Sequence, residues 1–514
     1  MAAQTTAPAE AQHTNAHIDP AAQVADAGFV PVQTRSERPR SFDPDDFGAP
    51  TGREVNWKHT PVAQLTGMFQ TATQNDGVTY EVESGAQFAT ASLAAGDTPR
   101  GEFFVPEDIV SAVAWQGSAE GMHVRIPRDE EVAEPVLVTI TGQGADKRAD
   151  AHIVIEALEN SAATVVLRHR GSAQYAQNVE IIARPGSRLT VITVQRWEDD
   201  AVHAASHQAR VDKDALLKHF VISFGGGIVR VNPNVELAGT GSEGRMYGLS
   251  YADAGQHLES QVYLHHKGAH TTGDVLYKGA LQGESAHSVW IGDVLIGADA
   301  TGTDSYEANR NLVLTEGARA DSITNLEIKT GDIQGAGHAS ATGRFDDEQL
   351  FYLQARGIDE EEARRLVVLG FLSDVVQRLG IPALEEELLA AIETELAAVT
   401  ALPHSARAAS ATSSRTPPCV SRSTASRWPS CSTATVRCTP SATPAPTARS
   451  RCPRGSSKAT RWSAGPTARR SRCSPASPRT SPLSSPSPST SSRSMATTCS
   501  STRLSQRKSE NVCS

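Results

Sequence analysis

Thiolates, imidazoles and carboxylates are the side chains that hold metals and move protons, and in this chain they are segregated. All seven cysteines (Cys419, Cys431, Cys438, Cys452, Cys473, Cys499 and Cys513) fall in the last fifth of the 514 residues, and the first 402 contain none. No two of them have the C-x-x-C spacing of a zinc site. The earlier part offers imidazole instead, at His257, His265, His266, His270, His287 and His338, and carboxylate density at Asp293, Asp299, Asp304 and Glu307. Neutral imidazole ligates iron and other first-row ions. Clustered carboxylates supply the acid and base of β-helix lyases and hydrolases. Spacing builds neither site: His265 and His266 face opposite ways on an extended chain, and the carboxylates do not pair. Packing histidines and a solvated acidic edge are therefore expected. Phe224-Gly-Gly-Gly-Ile228 lacks the Lys-Ser/Thr of a phosphate loop, and Gly239-x-Gly241-x-x-Gly244 has no parallel βαβ context, so both read as turns between strands.

The elements that must position these residues are mostly short strands. β-Branched runs bounded by Gly, Asn, Asp or Pro occur at 136–140, 152–155, 163–167, 178–182, 188–194 and 219–223, followed by 262–265, 287–291 and 311–314. Helical periodicity is nearly absent from about 78 to 340. Many short strands, close together and poor in aromatics, suggest a sandwich, a barrel or a solenoid, and we favour the solenoid although the repeat is irregular. After Gly343 the period changes. Asp346, Asp347 and Glu348 can start a helix that Gly357 stops. Asp359 caps a second helix with an apolar stripe through Ala363, Leu366, Val367, Phe371, Val375 and Leu379, and Gly380-Ile-Pro382 separates a third over 383–398. Trp57, in Trp-Lys-His-Thr-Pro61, reads as a packing anchor. The expected layout is a loose N-terminus (1–45), an N-terminal subdomain (46–100), a β core (101–343), a helical domain (344–400) and a low-complexity tail (401–514).

Charge divides the chain at the same place. From Pro403 onward there are 18 Lys and Arg against the single acid Glu510, a net charge of +17; the remainder carries 30 basic and 57 acidic residues, a net of −27. Such an acidic body argues against nucleic acid or a membrane surface as partner. No apolar run is long enough to span a bilayer and no signal peptide precedes it, so a cytoplasmic protein is expected. The Ser/Thr/Pro/Ala/Arg-rich tail cannot bury a core and is expected to be disordered. It also reads as out-of-frame translation of a GC-rich gene. In the frame that joins the third base of each codon to the next two, Arg461–Arg469 permits V-E-C-W-A-H-G-S, and junctions at Pro444/Ala445 and Pro446/Thr447 permit Cys and His. The shifted product resembles a Rieske-type ferredoxin with its two Cys and two His. The seven cysteines actually present are assigned no role.

One series of motifs is more specific. Asn309-Arg-Asn-Leu-Val-Leu314, Asn325-Leu-Glu-Ile328, Gly337-His-Ala-Ser-Ala-Thr-Gly343 and Asp346-Asp-Glu-Gln-Leu-Phe-Tyr-Leu-Gln-Ala-Arg-Gly-Ile358 occur in order. With Gly225–Arg230 and Trp57–Pro61, they resemble the SufB/SufD family of iron–sulfur cluster assembly proteins over roughly residues 50–398. The resemblance implies a right-handed parallel β-helix with a small helical N-terminal part and a C-terminal helical domain. It implies a non-enzymatic scaffold that pairs with a SufB-like subunit through the β-helix and docks a SufC-like ABC-type ATPase through its C-terminal helices, with a cysteine desulfurase system acting indirectly. A transient iron–sulfur cluster at the partner interface is implied, with none held stably by this chain alone. The SufD-like Cys-x-His pattern carries over to His338 as an iron ligand, but its cysteine position is Ala336. Asp346, Asp347, Glu348, Phe351, Tyr352, Arg356 and Gly357 carry over as the partner-binding helical motif. A thiolate-free body favours the SufD side over a SufB-like cluster scaffold; a β-helix carbohydrate-active enzyme is the alternative from another class.

Overall fold

A computed structural model describes residues 35, 38–83, 89–345 and 347–400. The expectations for the tail, for most of residues 1–37 and for Asp346 lie outside the described residues.

The elements run β1 (Val78–Glu83), β2 (Ala89–Ala94), α1 (Ile109–Gly117), β3 (Glu120–Ile126), β4 (Val136–Gly142), β5 (Arg148–Ala157), β6 (Ala162–Gly171), β7 (Gln174–Ala183), β8 (Arg188–Trp197), β9 (Val202–Val211), β10 (Leu216–Ser223), β11 (Ile228–Leu237), β12 (Glu243–Ala252), β13 (His257–His266), β14 (Thr272–Leu281), β15 (His287–Ile296), β16 (Thr303–Val313), β17 (Arg319–Ile328) and β18 (Ile333–Arg344), then α2 (Asp347–Gln354), α3 (Glu360–Val376) and α4 (Pro382–Thr400). From β3 onward, odd strands stack parallel in one sheet and even strands in the other, so each coil gives one strand to each sheet. The result is a β-solenoid of about 8 turns. The antiparallel strands β1 on β4 and β2 on β3 cap its N-terminal end.

Coil length explains why the repeat is hard to read. Arg148 stands in register with Gln174, 26 positions on, whereas His287 stands in register with Arg319, 32 positions on. Backbone ladders on both sides fix each strand, so a strand needs little intrinsic propensity. β9 (Val-His-Ala-Ala-Ser-His-Gln-Ala-Arg-Val) has β-branched residues only at its ends, β12 with Gly244 and Gly248 has none, and in β11 Pro233 interrupts the β-branched residues, so all three escape the sequence reading. Pro233 has no N–H to donate, and the β11–β13 register passes over Asn232 and Pro233. Helix α1 is equally hard to read from sequence: β-branched Ile109, Val110 and Val113 hide it, and its one start signal is Asp108, whose Oδ1 accepts from Ser111 N at 2.9 Å.

Burial sorts into three layers. Between the sheets lies an aliphatic core that includes Val138, Ile153, Leu167, Val179, Val191, Val231 and Leu264. Outside the even sheet, Ile192, Phe220, Leu249 and Leu276 pack under Val368, Leu372, Val375, Leu388 and Ile392 of α3 and α4. Outside the odd sheet, Ala176, Ala204 and Ile228 pack under Trp57, Leu65, Met68 and α1. Trp57 is thus the packing anchor its position suggested. The helix signals hold as well: Asp359 Oδ1 accepts from Glu362 N at 2.9 Å, and Gly357 and Gly380 take φ of +86° and +71°. Gly241, at φ +71°, lies in the β11–β12 connection, as expected for a turn.

Candidate functional site at the open end of the solenoid

β17 and β18 are the outermost strands of the two sheets, and no further rung covers them among the described residues. Parallel register places Ala336, His338, Ser340 and Thr342 of β18 on the same sheet face as Ser305, Glu307, Asn309 and Asn311 of β16. The four β16 residues are buried; from His338 to Arg344 β18 is exposed. A polar lumen is therefore closed one coil earlier and open at the last.

Hydrogen bonds join the two levels. Asn311 Nδ2 donates to Asn309 Oδ1 at 2.7 Å and to Thr342 Oγ1 at 3.3 Å. Ser322 Oγ of β17 donates to Asn309 Oδ1 at 2.6 Å and lies 2.7 Å from Ser340 Oγ. Glu307 is the exception: it is fully buried, and neither carboxylate oxygen has a hydrogen-bond partner. Burial, reinforced by the charge of Asp293, pushes its carboxyl up to about 8, so it is a neutral acid at physiological pH. Gly292 makes room for it, since a Cβ there would meet Glu307 Oε2 at 2.6 Å.

The expectation of a solvated acidic edge is thus corrected for two of its four members. Glu307 is buried behind the open coil, and Asp293 is buried and accepts from Asn325 Nδ2 at 2.6 Å. Asp299 and Asp304 are exposed. His265 and His266 do face opposite ways: His266 points inward, with Nδ1 2.8 Å from Thr271 Oγ1 and Nε2 3.0 Å from Ser305 Oγ.

The helical motif follows directly after β18. Asp347 and Glu348 open α2, with Glu348 exposed. Phe351 and Tyr352 are 71% and 55% exposed, and the Arg356 guanidinium lies 4.3 Å from the Tyr352 ring centroid. Two large apolar side chains thus stand in water on a helix tied to the open end. No three His, Cys, Asp or Glu side chains converge as a metal set among the described residues, so His338 is not part of such a set. The signal that would have exposed the lumen is an alternation, Ser305-x-Glu307-x-Asn309-x-Asn311, echoed 31 residues later.

By its fold the chain is a parallel β-solenoid protein with helices on its flanks. The SUF system FeS cluster assembly SufBD core domain matches residues 139–371. An iron–sulfur cluster assembly SufBD family protein of Mycobacterium bovis is 47% identical over 363 residues, which cover 69% of this chain and 91% of that relative. The iron–sulfur cluster assembly protein SufD of Escherichia coli is 24% identical over 385 residues, 68% of this chain and 90% of SufD. Another SufBD family protein of Mycobacterium bovis is 25% identical over 228 residues, 44% of this chain and 27% of that relative. The chain belongs to the SufBD family of iron–sulfur cluster assembly proteins.

Proposed function

We propose that this chain is the SufD-like scaffold subunit of a SUF assembly complex, and that it acts without catalysing a reaction itself. The observation that carries this reading is the last coil, which no further rung covers among the described residues. A solenoid's terminal rung normally needs a cap, and a parallel edge with free N–H and C=O groups is a template for another strand. Here that edge leads into a polar lumen and bears an exposed imidazole at His338. A SufB-like chain stacking its own last coil on β17 and β18 would pair both edges and close the lumen. His338 would then be one ligand of a nascent cluster, and the partner would supply thiolate, because the solenoid contains none. The presence of two dissimilar SufBD family proteins in one mycobacterium supports a pair of unlike subunits. Hydrogen exchange tests this: β17 and β18 should gain strong protection when the SufB-like chain is added, and unchanged exchange there would overturn the pairing.

The second part of the proposal concerns α2. Deleting the helical domain would be uninformative, because α3 and α4 cover the even sheet and their loss would bare its core. Phe351 and Tyr352 are exposed, so replacing both with alanine should leave the fold intact. We expect the double variant to lose at least ten-fold in affinity for a SufC-like ATPase, measured by titration calorimetry, with an unchanged melting temperature. Retained affinity would remove α2 from the docking surface.

A further inference from the structure

A cavity of about 200 Å3 lies between the N-terminal segment and the start of α1. Phe47, Pro50, Val55, Trp57 and Ile109 give it an apolar wall, and Arg38 stands at its border. Trp57 and Ile109 belong to the layer packed under the odd sheet, and Phe47 packs against that layer. None of the lining residues lies on β17, β18 or α2, so the cavity is independent of the docking faces proposed above.

Of the charged side chains that border the cavity, three are fully engaged. Glu54 accepts from the backbone N–H groups of Thr51, Gly52 and Arg53. Glu107 accepts from Asn234 Nδ2 at 2.8 Å and pairs with Arg35 and Arg40. Asp108 is taken by Arg230 and by the cap of α1. Arg38 is the exception. Its guanidinium makes one hydrogen bond, from Nη1 to Gln261 Oε1 at 3.1 Å, and no ion pair among the described residues. One of its five N–H donors is therefore used. Its Nε and Nη2 are not sealed off, so an acceptor can reach them. Burial, reinforced by the charge of Arg35, lowers the guanidinium to about 10. It is still a cation at neutral pH, and one that an anion would stabilise.

Wall and charge together define what fits. A cavity of about 150 Å3 with an aliphatic and aromatic lining holds benzene, so this one has room for a ring and a small substituent. A guanidinium holds a carboxylate by two parallel hydrogen bonds. Glu54, Glu107 and Asp108 repel a second negative charge such as a phosphate carries. We propose that the cavity binds an apolar monocarboxylate the size of an arylacetate, with its carboxylate on Arg38 and its body against Phe47, Trp57 and Ile109. Arg38 is also bonded to Gln261 of β13. An occupant therefore joins the N-terminal segment, α1 and the odd sheet at one point, and its binding is linked to the stability of that contact.

The test uses the intact chain with phenylacetate as the probe. Phenylacetamide, acetate and inorganic phosphate are the comparisons, in titration calorimetry and thermal denaturation. Phenylacetate should bind once per chain, with a dissociation constant of about 1 mM or below, and should raise the melting temperature. The neutral amide should bind more weakly by roughly ten-fold or more, and acetate and phosphate should not bind measurably. Arg38→Met should weaken phenylacetate to the same extent. Val55→Trp should do so as well: Val55 is 42% exposed, so a larger side chain there obstructs the cavity without entering the core. That variant carries the test if Arg38→Met alters the melting temperature without any probe. No saturable phenylacetate binding at millimolar concentration, equal binding of acid and amide, or binding indifferent to both variants, would overturn the proposal.

Discussion

Arg230→Met is expected to destabilise the folded chain by about 3–5 kcal/mol, the usual consequence of leaving buried carboxylates without their cation. Arg230 is almost completely buried where the N-terminal segment meets the odd sheet. Its Nη1 donates to Asp108 Oδ2 at 2.8 Å, its Nε to Glu259 Oε1 at 3.2 Å and its Nη2 to Asn56 O at 3.1 Å. The guanidinium lies 4.1 Å from the centroid of the Trp57 ring. Asp108 works twice, because its other oxygen caps α1. Removing the cation therefore strands two buried carboxylates and loosens α1 and Trp57 together. Arg230→Lys keeps the charge without the fork and should lose less. Urea denaturation gives the magnitude. Glu259, at about 2 in the folded chain against 4.5 for the free group, contributes stability above pH 4.5 that is lost as pH falls through 2. Without Arg230 that carboxyl protonates more readily, so the penalty in the variant should shrink below pH 5. A penalty under about 1 kcal/mol at pH 7 would show that the network does not hold the two layers together.

Glu307→Gln is expected to act in the opposite direction. The wild-type carboxyl is about 8 when folded and 4.5 when unfolded, so the folded chain holds a proton that the unfolded chain releases. Stability is full below pH 4.5 and falls by about 1.4 kcal/mol per pH unit until pH passes 8. At pH 7 the accumulated loss is about 3 kcal/mol. Glutamine has the same shape and cannot ionise, so the variant should be the more stable one at neutral pH, with the difference growing from pH 5 to 8. Denaturation of both proteins across that range measures it; a pH-independent difference would show that Glu307 is ionised in the fold.

The parts of this molecule that were legible in the sequence are those where local chemistry agrees with the fold. Val136–Ile140 and Arg188–Val194 are strands by propensity as well as by position, and Asp359 and Gly380 punctuate helices through their own backbone preferences. The family motifs from Asn309 to Ile358 pointed to the solenoid and its helical annex. Elements illegible in the sequence are those that stacking alone defines. β9 and β12 are strands because coils lie above and below them, and coil lengths that vary from 26 to 32 residues blur the period that would have revealed this. Glu307 looked like one of four surface acids because register, not spacing, turns it inward. The contact of His257 Nδ1 with His287 Nδ1 at 3.0 Å, across 30 residues, has the same origin. The segregation of the cysteines remains a fact of sequence, and it leaves the solenoid with imidazole but no thiolate at its open end.

The central claim is that the last coil is a docking face for a second, unlike SufBD chain. Ser340→Arg tests it most directly, since Ser340 is exposed and in register with the lumen residue Asn309, where a long cation would stand in the path of an incoming coil. The measurement is sedimentation of an equimolar mixture of this chain and its SufB-like counterpart. The wild type should run as a one-to-one complex, and the variant, with unchanged melting temperature, as two separate species. A complex that survives Ser340→Arg undiminished, or a wild-type mixture that never associates, would contradict the account.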